Sequence, residues 1–209
     1  MKSPFTGVKN FLIALLIVSS VFMNNKASAQ QQNITMVNYS MSLGMGNTGD
    51  FISQYSFRGF DVQYRHMQTL NIGVGFNTGW NVFYQHLPDA SFTYETATLT
   101  GDQWRYFNSI PILVMADYFF KPGVNEKINP YIGGGLGVEY ASATVNFGVF
   151  SAQKDSWPFV LSPEIGVLIH PSITGPAINL GIRYMYGFKT DDLPSDSHIL
   201  FNVGFAFSN

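Results

Sequence analysis

Six ionisable residues stand out because each falls on the non-apolar face of an alternating segment: Asp61, Arg65, Asp117, Glu139, Glu164 and Arg183. Alternation with a period of two places successive side chains on opposite faces of a strand. A face of mostly Gly, Asn and Ser that carries a few isolated charges implies an enclosed interior, where a charge must be paired to be tolerated. Glu164 and Arg183 lie symmetrically about a short turn near 172–173, so hairpin register sets them side by side as a salt bridge. Such a network could act as a gate or selectivity constriction. In a bore only wide enough for side chains it acts as a plug, which is the reading favoured. Other chemistry-bearing groups are sparse. His170-Pro171-Ser172 sets an imidazole two residues from a hydroxyl but in a proline-broken turn, and Asp191, Asp192, Asp196 and His198 cluster near one loop. Neither forms a recognisable catalytic constellation. The four histidines, His66, His86, His170 and His198, lack metal-ligand spacing. Gly133-Gly134-Gly135-x-Gly137 lacks the Lys-Ser/Thr and the helix of a phosphate loop. No catalytic residue, metal or cofactor is expected.

The elements that position these residues are strands. Val37, Tyr39, Met41, Leu43 and Met45 form one face of the first, and Phe60, Val62 and Tyr64 one face of the second. Leu70, Ile72, Val74, Phe76, Trp80 and Val82 define the third. A loop is expected from about Tyr84 to Gln103, although Ser91 to Thr98 keeps alternating. Ile110, Ile112, Val114, Ala116, Tyr118 and Phe120 face out of the fourth strand, with Leu113, Met115 and Asp117 facing in. A fifth strand starts at Pro130, a sixth runs from Phe159 to Ile169 after a loop containing Lys154-Asp155, and a seventh spans Ile178 to Phe188. The eighth is His198 to Phe207, with Ile199, Phe201, Val203, Phe205 and Phe207 on one face. Links after strands two, four and six are short, and the others are longer and polar. Pro111 and Pro163 fall inside strands, where they cannot donate to the ladder, and are expected to mark bulges. Strands three to six are expected to project as hairpins beyond the barrel.

Composition says what surrounds the strands. Charged residues make up 11% of the 209, against roughly 25% in soluble domains, while 46% are hydrophobic and 16% aromatic. Residues 1–29 have a basic start, an apolar run from Phe11 to Met23 and Ala27-Ser28-Ala29, the pattern of a cleavable signal peptide. That leaves 30–209 as one domain. This remainder carries eight basic and thirteen acidic residues, a net −5, which argues against a nucleic-acid partner. No cysteine is present, so no disulfide forms. Apolar surface without a membrane-length helix implies a closed barrel, because in lipid every backbone group needs an internal partner. The fold expected is therefore all-β, an eight-stranded antiparallel up-and-down transmembrane barrel. Aromatics cluster at the strand ends as girdles: Trp80, Tyr140, Phe159, Tyr186 and Phe188 at one end, Tyr118, Phe120 and Phe207 at the other.

The signal peptide, eight alternating strands, Gly-rich inward faces and the terminal Phe205-x-Phe207 resemble the small porin-like outer-membrane barrels of the OmpA, OmpX and OmpW type. The resemblance implies Sec export to the bacterial outer membrane of a Gram-negative cell and a monomer contacting lipid and lipopolysaccharide. It also implies a terminal strand read by the barrel-assembly machinery through Phe205 and Phe207, although Ser208-Asn209 follow. With nothing after the barrel, no peptidoglycan-binding domain is expected. The role implied is structural or surface-interacting, with an extracellular partner engaged through loops. The alternative is a narrow pore or OmpW-like conduit for small solutes. A lipid-modifying enzyme ranks below both. The His-x-Ser spacing at His170 is similar to that of lipid A deacylases but lies at the periplasmic end, and the Asp/His cluster near Asp196 is similar to that of omptin proteases, which have larger barrels.

Overall fold

The computed structural model describes residues 33–94, 97–121, 126–148, 150–172 and 175–208; the expected signal peptide lies outside them. Nine strands form one antiparallel sheet: β1 (Asn33–Met45), β2 (Gly59–Met67), β3 (Ile72–Tyr94), β4 (Ala97–Phe119), β5 (Ile128–Phe147), β6 (Phe150–Ser156), β7 (Phe159–Ile169), β8 (Ala177–Gly187) and β9 (Asp196–Ser208). A six-residue helix, α1 (Gly46–Phe51), follows β1. β9 pairs with β1 and closes an eight-stranded barrel. β6 is additional. It pairs with the upper part of β5 in the same register that β7 uses lower down, and the two are parted only at Trp157-Pro158.

The closure has a measurable stagger. Stepping across the strands from Thr35 through Tyr64, Phe76, Val114, Leu136, Leu161, Tyr186 and Ser197 returns to β1 at Met45, ten residues above the start. Eight strands with this shear tilt by about 40° and enclose a bore that side chains fill. The end holding Asn33 and Ser208 is called lower here, and the end holding α1 upper.

Side-chain alternation matches the barrel wall. Val37, Phe60, Phe76, Ile112, Val114, Leu136, Ile165, Val203 and Phe205 are exposed on the outside, while Asp61, Arg65, Asp117, Glu139, Glu164 and Arg183 are buried in the interior. A continuous outer wall of exposed large apolar groups is untenable in water and suits lipid contact.

Several sequence expectations need correction. The region from Tyr84 to Gln103 is not a loop: β3 and β4 run 23 residues each, and only 95 and 96 separate them. The link after the third strand is therefore short, not long. The segment carrying Lys154-Asp155 is strand β6, paired with Ala141 to Phe147. Pro111 and Pro163 mark no bulges. The β3–β4 ladder holds one register from Thr78↔Ile112 to Asn81↔Ser109, and the β7–β8 ladder does so from Leu161↔Tyr186 to Glu164↔Arg183. The irregularity lies instead between Leu87 and Ala90, at Pro88.

Candidate functional site

The interior is layered, and each layer follows from which strands bring small and large inward residues to the same height. At the lower end Ile34, Met36, Phe119, Tyr131, Leu168, Ala177 and Ala206 form an apolar floor. Above it lies the polar network. Arg183 donates from Nε and Nη2 to Glu164 Oε2 (2.9 and 2.6 Å), and from Nη1 to Asp61 Oδ2 and Asn77 Oδ1 (both 2.8 Å). β8 is thereby tied to its neighbour β7 and, across the bore, to β2 and β3. Asp61 also accepts from Asn38 (2.9 Å), Gln63 (2.8 Å) and Asn77. Glu164 accepts from the Tyr131 hydroxyl (2.9 Å), which rises from the floor.

A third ion pair, Arg65 with Asp117, links β2 to β4 over the top of β3. The β3 residues it passes over are glycines: Gly73 is opposite Asp117 and Gly75 opposite Arg65, and a Cβ at Gly75 would run into the Tyr64 carbonyl oxygen. Arg65 Nη2 also donates to Gln63 Oε1 at 2.8 Å, and Gln63 donates to Asp61, which joins this pair to the Arg183 network.

A further apolar layer, Leu113, Met115, Val160, Met185 and Leu200, covers one side of the network from above. All five interrupt otherwise polar inward faces. Higher still is a polar chamber. Glu139 accepts from Ser109 (3.0 Å) and lies beside Asp196, with no cation paired to it among the described residues. The ring nitrogens of the buried His198 have no hydrogen-bond partner among the described residues. Phe83 packs edge-on to His198 with centroids 5.2 Å apart, and with Phe107, Ala141 and Ile52 it forms the upper apolar layer.

Ile52 reaches that layer from the loop after α1, a contact that sequence reasoning missed. α1 is seated by Ser197 N donating to Thr48 Oγ1 (3.0 Å) and Arg105 donating to Phe51 O (3.0 Å), and the loop after it by Ser53 N donating to Gln85 (2.9 Å). The one signal for it was an isolated Phe51-Ile52 pair in a polar stretch.

The candidate catalytic groups are not assembled. Ser172 is exposed while His170 is partly buried, and no hydrogen bond joins them among the described residues. Asp191 and Asp192 are exposed, whereas Asp196 and His198 face inward. No group of three or more potential metal ligands occurs among the described residues.

On the outside, aromatic residues form two bands. Tyr118 and Phe120 contact each other at the lower end of β4 (5.3 Å), and Phe207, opposite Thr35, lies at the lower end of β9 on the far side of the barrel. At the upper end Tyr140 packs on Trp157 (5.4 Å), Phe159 on Phe188 (5.9 Å) and Tyr186 on Phe188 (5.1 Å), and Trp80 Nε1 donates to Asn108 (3.2 Å). Trp157 was missed because it precedes Pro158 in the expected loop. Tyr118 and Asn108 are ten residues apart on β4. At a tilted rise of roughly 2.5 Å per residue the bands are about 25 Å apart, the height of an outer-membrane barrel's apolar belt.

This wall, shear and layered bore define the architecture of the small eight-stranded outer-membrane barrels. Solved structures sharing it include OprG of Pseudomonas aeruginosa, with a TM-score of 0.54 at 15% identity over 86% of this chain and 96% of that one. Ail, the attachment invasion locus protein of Yersinia pestis, shares it as well. In complex with the heparin analogue sucrose octasulfate it gives a TM-score of 0.52 at 15% identity over 86% of this chain and 100% of that one. No protein-family model and no curated protein sequence matches the chain.

Proposed function

We propose that this chain is a bacterial outer-membrane protein, exported by a signal peptide at 1–29, whose barrel is a closed scaffold that presents a surface for interaction rather than a pore or an enzyme. The observation that carries the reading is the Arg183 guanidinium, held between Glu164 and Asp61 on opposite walls with apolar layers below and above. An ion threading this path would have to break three charge-assisted contacts and cross apolar packing. Link lengths support the orientation: at the lower end the strands are joined by residues 68–71, 120–127 and 170–176, only four, eight and seven residues, which suits the periplasm, while α1 and the long β3–β4 and β5–β6 hairpins rise on the other side. Phe205 and Phe207 then sit at the periplasmic end of the closing strand, where the assembly machinery would read them. The exposed hairpins are the surface offered to an extracellular partner, and the barrel acts as a monomer in lipid.

The test is conductance. Purified protein in planar bilayers is expected to show no steady channel activity, and steady nanosiemens conductance would overturn the closed-scaffold reading.

A further inference from the structure

The outer faces of β3 and β4 stay aromatic above the upper aromatic band. Four residues beyond Trp80 on the same face of β3 is Tyr84, whose ring contacts Tyr106 (5.2 Å) and Trp104 (5.6 Å) of β4. His86 stacks on Trp104 with centroids 4.0 Å apart, and the Arg58 guanidinium lies over the Tyr84 ring at 5.2 Å. Trp104 remains 37% exposed. The nearest acid to the histidine is the exposed Asp102, at 3.8 Å, and Arg58 makes no ion pair among the described residues. The patch therefore offers aromatic faces flanked by a fixed cation and an imidazole.

Height identifies what this surface meets. Four strand residues at roughly 2.5 Å of rise put Tyr84 about 10 Å above Trp80. A phospholipid headgroup layer is only about 5–8 Å thick, half the difference between a bilayer's total and hydrocarbon thicknesses. The patch would stand clear of phospholipid headgroups, in water, with the Trp104 ring exposed and the others half-buried. A leaflet whose headgroups are chains of sugars extends past this level. Pyranose C–H faces stack on aromatic rings, and phosphate groups on those sugars pair with guanidinium.

We propose that Arg58, Tyr84, His86, Trp104 and Tyr106 form a binding site for the phosphorylated saccharide headgroup of lipopolysaccharide, on one flank of the barrel. The site rests on the outer-membrane reading above.

The test uses the full chain with Trp80→Phe and Trp157→Phe, which leaves Trp104 as the reporter among the three tryptophans. The protein is refolded into nanodiscs of phosphatidylcholine alone, with phosphatidylglycerol, or with lipopolysaccharide. Heat-modifiable gel migration reports the folded barrel. A blue shift of Trp104 emission and reduced quenching by acrylamide are expected only with lipopolysaccharide. Arg58→Ala and Tyr84→Ala should each raise the lipopolysaccharide needed for half the shift by about tenfold. An equal shift with phosphatidylglycerol, no shift in a folded protein, or a shift untouched by both substitutions would overturn the site. Failure to show a folded band in any membrane would instead bring down the barrel reading beneath it.

Discussion

Replacing Arg183 by Met keeps an apolar stem of similar length and removes the charge. Glu164 then loses two hydrogen bonds (2.9 and 2.6 Å) and the one cation paired to it among the described residues, keeping the Tyr131 hydroxyl at 2.9 Å and a weak Gln63 contact at 3.4 Å. Asp61 loses one bond but keeps Asn38, Gln63 and Asn77. Removing one partner of a buried ion pair costs about 3–5 kcal/mol, most of it from the uncompensated charge left behind. The loss for Arg183→Met is therefore expected in that range, read by urea unfolding in vesicles with tryptophan fluorescence as the signal. The asymmetry of the partners sharpens the expectation. Adding Glu164→Gln should recover most of the loss, because it neutralises the poorly supported carboxylate. Adding Asp61→Asn should recover less, because Asp61 still has three amide donors. A loss under about 1 kcal/mol, or better rescue by Asp61→Asn, would refute the argument that Arg183 holds the two walls together through Glu164.

Gly133→Ala would place a Cβ 1.8 Å from Asp117 Oδ1 and 2.8 Å from Ala116 O, pushing the carboxylate off Arg65. It should destabilise by about 1–3 kcal/mol in the same unfolding assay, with a smaller effect in an Asp117→Asn background. Ile52→Asp puts a charge into the upper apolar layer and should release the loop of residues 46–57. Limited proteolysis is expected to cut there faster while heat-modifiable migration persists; loss of the folded band would show that the loop is needed for the barrel itself. Ending the chain at Gly204 removes the β9 residues opposite Thr35, Val37 and Ile178. That protein should fail to assemble, and a heat-modifiable band would count against β9's closing role.

What the sequence revealed depended on contrast between the two faces of each strand. Inside the membrane band the contrast is large, as in Ile199 to Phe207 or Ile72 to Phe76, so strand existence, facing and the Glu164–Arg183 adjacency were all legible. Above the band the outward face changes from aliphatic to Tyr84, His86 and Trp104, and the inward face gains Phe83 and Phe107. The contrast vanishes, yet the ladder continues because backbone pairing does not require it. The hairpin's length was hidden for that reason. α1 was invisible for another: Gly46-Asn47-Thr48-Gly49-Asp50 has no helix-forming pattern, and its turn is held by contact with Ser197, 149 residues away.

The cross-bore partners were hidden by a deeper limit. Adjacent strands announce their contacts through turn geometry, but Arg183 and Asp61 are 122 residues apart and meet only because the shear of ten brings β8 and β2 to one height. Charge inventory gave the participants without the pairing. The inward glycines carried the missing information. Gly75 is opposite Arg65 and Gly73 opposite Asp117, so the pairing of a charge on β2 with one on β4 passes over β3 residues that carry no side chain. Some inward glycines of this barrel therefore mark where a long side chain from a neighbouring strand lies. On β5, Asp117 occupies the space at Gly133 and Met115 the space at Gly135, where a Cβ would come within 2.1 Å of its sulfur, whereas at Gly137 a Cβ would meet the Ile112 backbone oxygen instead.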